Sequence, residues 1–174
     1  FDQLKSVSSE IDQNKQNIEK IIFLGDYIDS GPDSKKVLDF LIEKSVDDKH
    51  VFLKGNPEDM LLSGDGYLWM LNGGIQTKQS FVTEENPEGN IPEGYLDWMR
   101  DNLKMYYEIN NYIFVHAGLI PGLSVKEALE ESPNDLLWIR NEFLQSNYDW
   151  GKIVIHGHTP LQRDIPDIHT NRIN

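Results

Sequence analysis

Four times along this chain a short apolar run ends in a ligand-type side chain and then a turn. Ile21-Ile22-Phe23-Leu24 leads into Gly25-Asp26-Tyr27-Ile28-Asp29-Ser30-Gly31-Pro32, and Val51-Phe52-Leu53-Lys54 into Gly55-Asn56-Pro57-Glu58-Asp59. Tyr112-Ile113-Phe114-Val115 leads into His116-Ala117-Gly118, and Lys152-Ile153-Val154-Ile155 into His156-Gly157-His158-Thr159-Pro160. Runs of this length read as buried strands, and an open α/β sheet places its ligands beyond the carboxyl ends of its strands. A chain built this way brings Asp, Asn and His side chains to one end of its sheets, however far apart they lie in sequence.

Composition narrows what those tips can do. The 174 residues are enough for one domain spanning residues 1–174, burying about two-thirds of its unfolded surface. There is no cysteine, so a disulfide framework and thiolate metal sites are excluded and any metal must take nitrogen and oxygen ligands. A net charge of −13 argues against nucleic acid polymers and anionic membrane surfaces as partners. An anionic phosphate substrate therefore needs local positive charge, which a bound cation can supply. No apolar run approaches the length of a membrane span, and nothing resembles a signal peptide; a cytoplasmic location is expected.

The segments between the tips read mainly as helices. Phe1, Leu4, Val7 and Ile11 repeat every three or four residues, one face of an amphipathic helix over residues 1–17. That pattern starts without a cap or a preceding strand, and Arg172-Ile173-Asn174 ends where a further strand is expected to begin; both ends read as cut, with the first and last core strands outside this chain. Asp33 to Lys44 reads as the crossover helix of a β-α-β unit, with Val37, Leu38, Leu41 and Ile42 inward. A short helix around Met60-Leu61-Leu62 precedes an irregular stretch from Tyr67 to Gly74. Thr83 to Gly94 reads as an exposed loop, and Tyr95 to Asn102 as a helix. Ser124 with Glu127 three residues later forms a capping-box signature, and a single helix is expected over Asp135 to Leu144.

Hard divalent cations accept carboxylate, amide oxygen and imidazole together, the set that Asp26, Asn56, His116 and His158 offer. Each residue alone has a plainer reading. Asp26 suits a turn or cap, Asn56 an Asx-turn before proline, and His116 a strand end; one of His156 and His158 suits a structural role.

In combination, GDYIDSGP, GNPED, HAGLIP and HGHTP resemble the calcineurin-like metallophosphoesterases, particularly bacterial phosphatases related to serine/threonine protein phosphatases and to diadenosine tetraphosphatase. The four blocks span residues 25 to 160. The resemblance implies an α/β fold, an αββα four-layer sandwich, with two divalent metal ions at the strand ends and a metal-activated hydroxide attacking phosphorus. Mn²⁺ is the first expectation, with Fe or Zn as alternatives. By the same resemblance Asp26 is the bridging carboxylate, Asn56 the amide ligand, His116 and His158 the histidine ligands, and Asp29 the acid that orients a catalytic histidine. Arg140 is similar in position to a phosphate-binding arginine, against the plainer reading of a solvated helix face.

Three departures stand out. The Asp-x-His-Gly block with which the family opens is absent from this chain, which is therefore expected to hold one metal well and a second poorly. Pro57 stands where the family carries its proton-donating histidine, favouring a good leaving group or substitution by Glu58, His156 or water. Ser30 replaces an arginine that grips phosphate. Three functions follow: a metal-dependent phosphatase of phosphoserine- or phosphothreonine-type protein substrates or small phosphomonoesters; a dinucleoside polyphosphate hydrolase, marked by asymmetric cleavage of such substrates in preference to aryl phosphates; and a metal-binding pseudoenzyme acting as scaffold or regulator. The sequence leaves the oligomeric state open.

Overall fold

A computed structural model describes residues 1–161 and 165–174. Two sheets carry the chain. In the first, β1 (Ile21–Phe23), β2 (His50–Leu53) and β3 (Leu103–Lys104) run parallel in the order β1-β2-β3. In the second, β4 (Tyr106–Ile109), β5 (Tyr112–Val115), β6 (Ile153–Ile155) and β7 (Arg172–Ile173) follow in sequence order, β4 antiparallel to β5 and the other pairs parallel.

The helices are α1 (Asp2–Gln13), α2 (Ser34–Lys44), α3 (Asn56–Leu62), α4 (Gly66–Trp69), α5 (Ile75–Ser80), α6 (Glu93–Asn102), α7 (Val125–Glu131), α8 (Asp135–Trp138) and α9 (Asn141–Leu144). Each sheet has its own helical cover and its own core. Leu38 and Leu41, three apart on α2, pack with Met99 of α6, Phe52 of β2 and Leu103 of β3. Ile113 and Val115 of β5 and Val154 of β6 pack with Val125 and Ala128 of α7, Leu136 of α8 and Phe143 of α9. Full burial of each such side chain contributes about 1.5–3 kcal/mol, so the two cores hold both sheets rigid beneath their loops. The α/β sandwich expected from the sequence is the fold observed.

Most expected elements form, with local differences. The Ser124–Glu127 capping box opens α7: Glu127 N–H donates to Ser124 Oγ at 3.3 Å, and Ser124 N–H donates to Glu127 Oε2 at 2.7 Å. The run expected as a buried first strand is only half-buried, because β1 is an edge strand of its sheet. Tyr67 to Gly74 is helical except at Gly73 (φ 121°, ψ −1°), where the chain kinks between α4 and α5. The single helix expected over residues 135–144 is two, broken where Ile139 turns extended (φ −60°, ψ 141°) and Arg140 leaves the helical region (φ −133°, ψ −92°). Among the described residues no helix is long and apolar enough to cross a membrane.

Candidate metal centre

Because β1 runs parallel to β2 and β5 parallel to β6, the ends carrying the four predicted ligands point the same way within each sheet. The loops beyond them meet in one cluster. His116 Nε2 lies 3.1 Å from Asp26 Oδ1, 3.1 Å from Asn56 Oδ1 and 3.2 Å from His158 Nδ1, and His158 Nδ1 lies 3.0 Å from Asn56 Oδ1. All four side chains predicted as ligands are thus brought together.

His116 is nearly fully buried, and its Nδ1–H donates to the Leu24 carbonyl at 2.7 Å. That bond leaves Nε2 to face the cluster. Burial pulls the His116 imidazole down, but the Asp26 carboxylate and the Leu24 carbonyl more than offset it, so its basicity is raised overall. Burial, then the neighbouring His116 and Arg140, lower the His158 imidazole to about 4.

The cluster fits a divalent cation on its own chemistry. Carboxylate, amide oxygen and imidazole nitrogen atoms about 3 Å apart have the spacing of adjacent ligands around a hard cation with bonds of ~2.1 Å. Asp26, His116 and His158 are the group among the described residues whose ligand atoms all lie within 4.8 Å of one another.

Backbone conformation marks the same place. The left-handed non-glycine residues include Asp26 (φ 59°), Asp29 (φ 73°) and His158 (φ 61°). Such conformations cost about 1–3 kcal/mol each and persist where surrounding structure imposes them. At Asp26 the imposing group is Glu58, which is fully buried. Its Oε1 accepts from the N–H groups of Tyr27 (2.7 Å) and Ile28 (3.2 Å), and its Oε2 from those of Asp26 (3.1 Å) and Gly55 (2.9 Å). Burial, then the Asp26 charge, push the Glu58 carboxyl up to about 7, while these N–H donors and His116 pull it back.

Two glycines make the approach possible. A Cβ on Gly25 (φ 100°) would lie 2.7 Å from His116 Nδ1, and one on Gly55 would lie 2.5 Å from Asp26 Oδ1.

The remaining predicted residues sit around this cluster. Asp29 is buried beside it; its Oδ1 accepts from Thr77 Oγ1 at 2.6 Å and from Trp69 Nε1–H at 3.1 Å, while Oδ2 has no partner among the described residues. Burial raises its carboxyl, and the Thr77 and Trp69 donors counter this. Arg140 is exposed at the break between α8 and α9, and its Nε–H donates to His158 Nε2 at 3.0 Å. It therefore stands next to the cluster and not on a helix face.

Pro57 is buried in the first turn of α3, where its missing N–H costs nothing. Glu58 is committed to backbone donors on both oxygens, and His156 is buried against Phe143 with burial lowering its imidazole to about 4. The sequence reading missed the Glu58, Trp69 and Thr77 contacts, which join residues 30 to 48 positions apart. The Glu58 carboxylate following the Asn-Pro pair in a strand-tip block was the one available signal.

A model of the calcineurin-like phosphoesterase family matches residues 1–173. The chain belongs to that family. Among curated relatives, a symmetrical bis(5′-nucleosyl)-tetraphosphatase of Nitrosomonas europaea is 28% identical over 146 residues, covering 83% of this phosphoesterase chain and 51% of the relative. One from Nitrosospira multiformis is 30% identical over 110 residues, covering 63% and 37%. One from Coxiella burnetii is 28% identical over 153 residues, covering 81% and 49%. The phosphoesterase chain spans about half the length of the relatives first matched.

Proposed function

We propose that this chain is the metal-binding part of a phosphoester hydrolase whose substrate is a dinucleoside polyphosphate cut symmetrically. The observation that carries the reading is the convergence of Asp26, Asn56, His116 and His158 within hydrogen-bond distances of one another. These four residues would hold a divalent cation, Mn²⁺ first among candidates. The cation would supply Lewis-acid polarisation of a phosphoryl oxygen and a water activated as nucleophile.

The chain's own groups do the rest. Arg140 brings a guanidinium beside the cluster, where it can bind a phosphate oxygen in an otherwise acidic protein. The Glu58 bonds and the Gly55 contact fix Asp26 in place, so that cation and phosphate meet a preformed site. Pro57 has no proton to give a leaving oxygen, which suits a leaving group already acidic; a nucleoside diphosphate departs with less help than a serine alkoxide. The relatives' names favour the dinucleoside reading over the protein-phosphatase reading, and a symmetrical cut over the asymmetric one expected from the sequence. An open cleft of about 420 Å³ lined by Asp26, His158, Thr159 and Pro160 adjoins a second cavity of about 520 Å³ across Thr159, Pro160 and Leu161, giving room for more than a phosphomonoester.

Incubation of this chain with Mn²⁺ and diadenosine tetraphosphate, followed by chromatography of products, tests the reading. ADP as the sole nucleotide product, formed faster than phosphate is released from a phosphoserine peptide, is the expected result. AMP with ATP would overturn the symmetrical cut, and faster peptide dephosphorylation would return the protein-phosphatase reading.

A further inference from the structure

Beside the metal cluster lies a cavity that the phosphoryl chemistry itself does not use. Its volume of about 520 Å³ falls among those of small-molecule pockets, roughly 300–1,000 Å³. It shares the rim Thr159-Pro160-Leu161 with the cleft that holds Asp26 and His158, so one extended ligand can occupy both. Leu144, Leu161, Ile165 and Pro166 supply apolar walls, and Leu161 and Ile165 are left exposed to water. Walls of this kind suit a flat ring and not a phosphate.

Two charged side chains also line the cavity. Arg172 is buried; its Nη1–H donates to Asp167 Oδ2 at 3.2 Å and its Nη2–H to the Leu144 carbonyl at 3.1 Å, which leaves three of its five N–H groups without a partner among the described residues. The Asp167 carboxylate is exposed and can only accept; His169 Nε2 lies 3.0 Å from each of its oxygens and still leaves lone pairs over. Backbone holds the pair in place. Asp167 and Asn174 exchange N–H···O bonds of 3.2 and 3.1 Å, and Arg172 lies on β7 opposite Val154 of β6. A donor and an acceptor therefore stand side by side before any ligand arrives, and the carboxylate repels an anion.

Adenine carries an acceptor, N7, next to a donor, N6–H, whereas guanine carries two acceptors, N7 and O6, on the same edge. Against Arg172 and Asp167, adenine sets acceptor to donor and donor to acceptor. Guanine sets O6 against the carboxylate. We propose that this cavity seats one nucleoside of the substrate, its base between the apolar walls, and that Arg172 and Asp167 select adenine over guanine. The choice of a nucleoside as occupant rests on the dinucleoside reading above.

Adenosine and guanosine, titrated separately into the chelator-treated chain and followed through its backbone amide resonances, test the proposal without metal or turnover. Expected are shifts at Leu161, Ile165, Asp167 and Arg172, with adenosine bound about tenfold more tightly than guanosine. Asp167→Asn, whose amide can donate to O6, should bring the two within about threefold. Ile165→Glu, on an exposed side chain outside the ligand cluster, should weaken adenosine about fivefold and leave Mn²⁺ affinity unchanged. Absence of saturable adenosine binding, shifts confined to other parts of the chain, equal affinities in wild type, or a preference that survives Asp167→Asn would each overturn it. If Mn²⁺-dependent cleavage of diadenosine tetraphosphate is seen while adenosine leaves these resonances unmoved, the cavity fails as the nucleoside site and the hydrolase reading stands; if adenosine binds as expected and no cleavage occurs, the site stands and the hydrolase reading fails.

Discussion

Replacing Gly55 with alanine separates space from backbone freedom as the reason for a glycine there. Gly55 has φ −95° and ψ 173°, ordinary extended backbone that alanine adopts freely. On that ground alone the substitution should stabilise the chain by about 0.4–1 kcal/mol, by restricting the unfolded state. The structure predicts the opposite sign. An added Cβ would stand 2.4 Å from Asp26 N, 2.5 Å from Asp26 Oδ1 and 2.7 Å from Glu58 Oε2, short of ordinary contact at 3.4 Å by about 1.0, 0.9 and 0.7 Å. Asp26 N and Glu58 Oε2 cannot swing away, since Asp26 N–H and the Glu58 carboxylate hold each other. Overpacking of this kind costs about 1–3 kcal/mol, and in a domain of this size each kcal/mol lowers the melting temperature by about 2–4 °C, so a net loss of about 2 kcal/mol corresponds to about 4–8 °C. The displacement falls on Asp26, so Mn²⁺ binding should weaken at least tenfold, roughly 1.4 kcal/mol. Thermal melts in chelator and calorimetric Mn²⁺ titration read the two effects independently. An unchanged or higher melting temperature together with Mn²⁺ affinity within twofold of wild type would refute the reasoning.

Acid should weaken the fold through His156. Its imidazole is lowered from 6.5 to about 4 by burial, so the unfolded chain takes up a proton that the folded chain refuses. The stability this represents is complete above about pH 6.5 and is lost as pH falls toward 4, reaching about 2 kcal/mol by pH 5. Glu58, with a raised carboxyl, acts in the opposite sense between about pH 7 and 4.5, so the comparison must be with His156→Gln, in which the Glu58 contribution cancels. Denaturant melts at pH 7 and pH 5 should show wild type losing about 2 kcal/mol relative to that variant, and parallel losses would contradict the assignment. Trp69→Phe removes the indole donor to the buried Asp29 carboxyl and should cost about 1.5–3 kcal/mol, whereas Tyr67→Phe two residues away on an exposed side chain should stay within about 0.5 kcal/mol; equal effects on the melting temperature would show that the indole bond carries no stability.

The strand tips were legible because an apolar run followed by a turn is a local signal, and two pairs of parallel strands are enough to bring the tips together. Boundaries within such runs were less secure. β3 and β7 are two residues each, too short for any periodicity, and β4 reaches β5 through Asn110-Asn111, a turn without the glycine that marks a hairpin most clearly. The supports of the site were harder to see, because they are tertiary. Trp69 meets Asp29 across 40 residues, and the stretch carrying Trp69 looks irregular in sequence because Gly73-Gly74 interrupts its helical pattern. Glu58 looks like a first-turn acid of α3, which it is; that both its oxygens also bind the Asp26 loop is decided by packing. Arg140 was placed on a helix because Leu136, Leu137 and Phe143 keep helical spacing across a break that no proline or glycine announces.

The most direct test of the account is hydrolysis of p-nitrophenyl phosphate by this chain with and without Mn²⁺, beside an Asp26→Asn variant. The account predicts turnover that requires Mn²⁺ and disappears in the variant, since Asp26 supplies the carboxylate of the ligand cluster. Turnover that is indifferent to Mn²⁺, or that survives in Asp26→Asn, or its absence from wild type under saturating Mn²⁺, would contradict it.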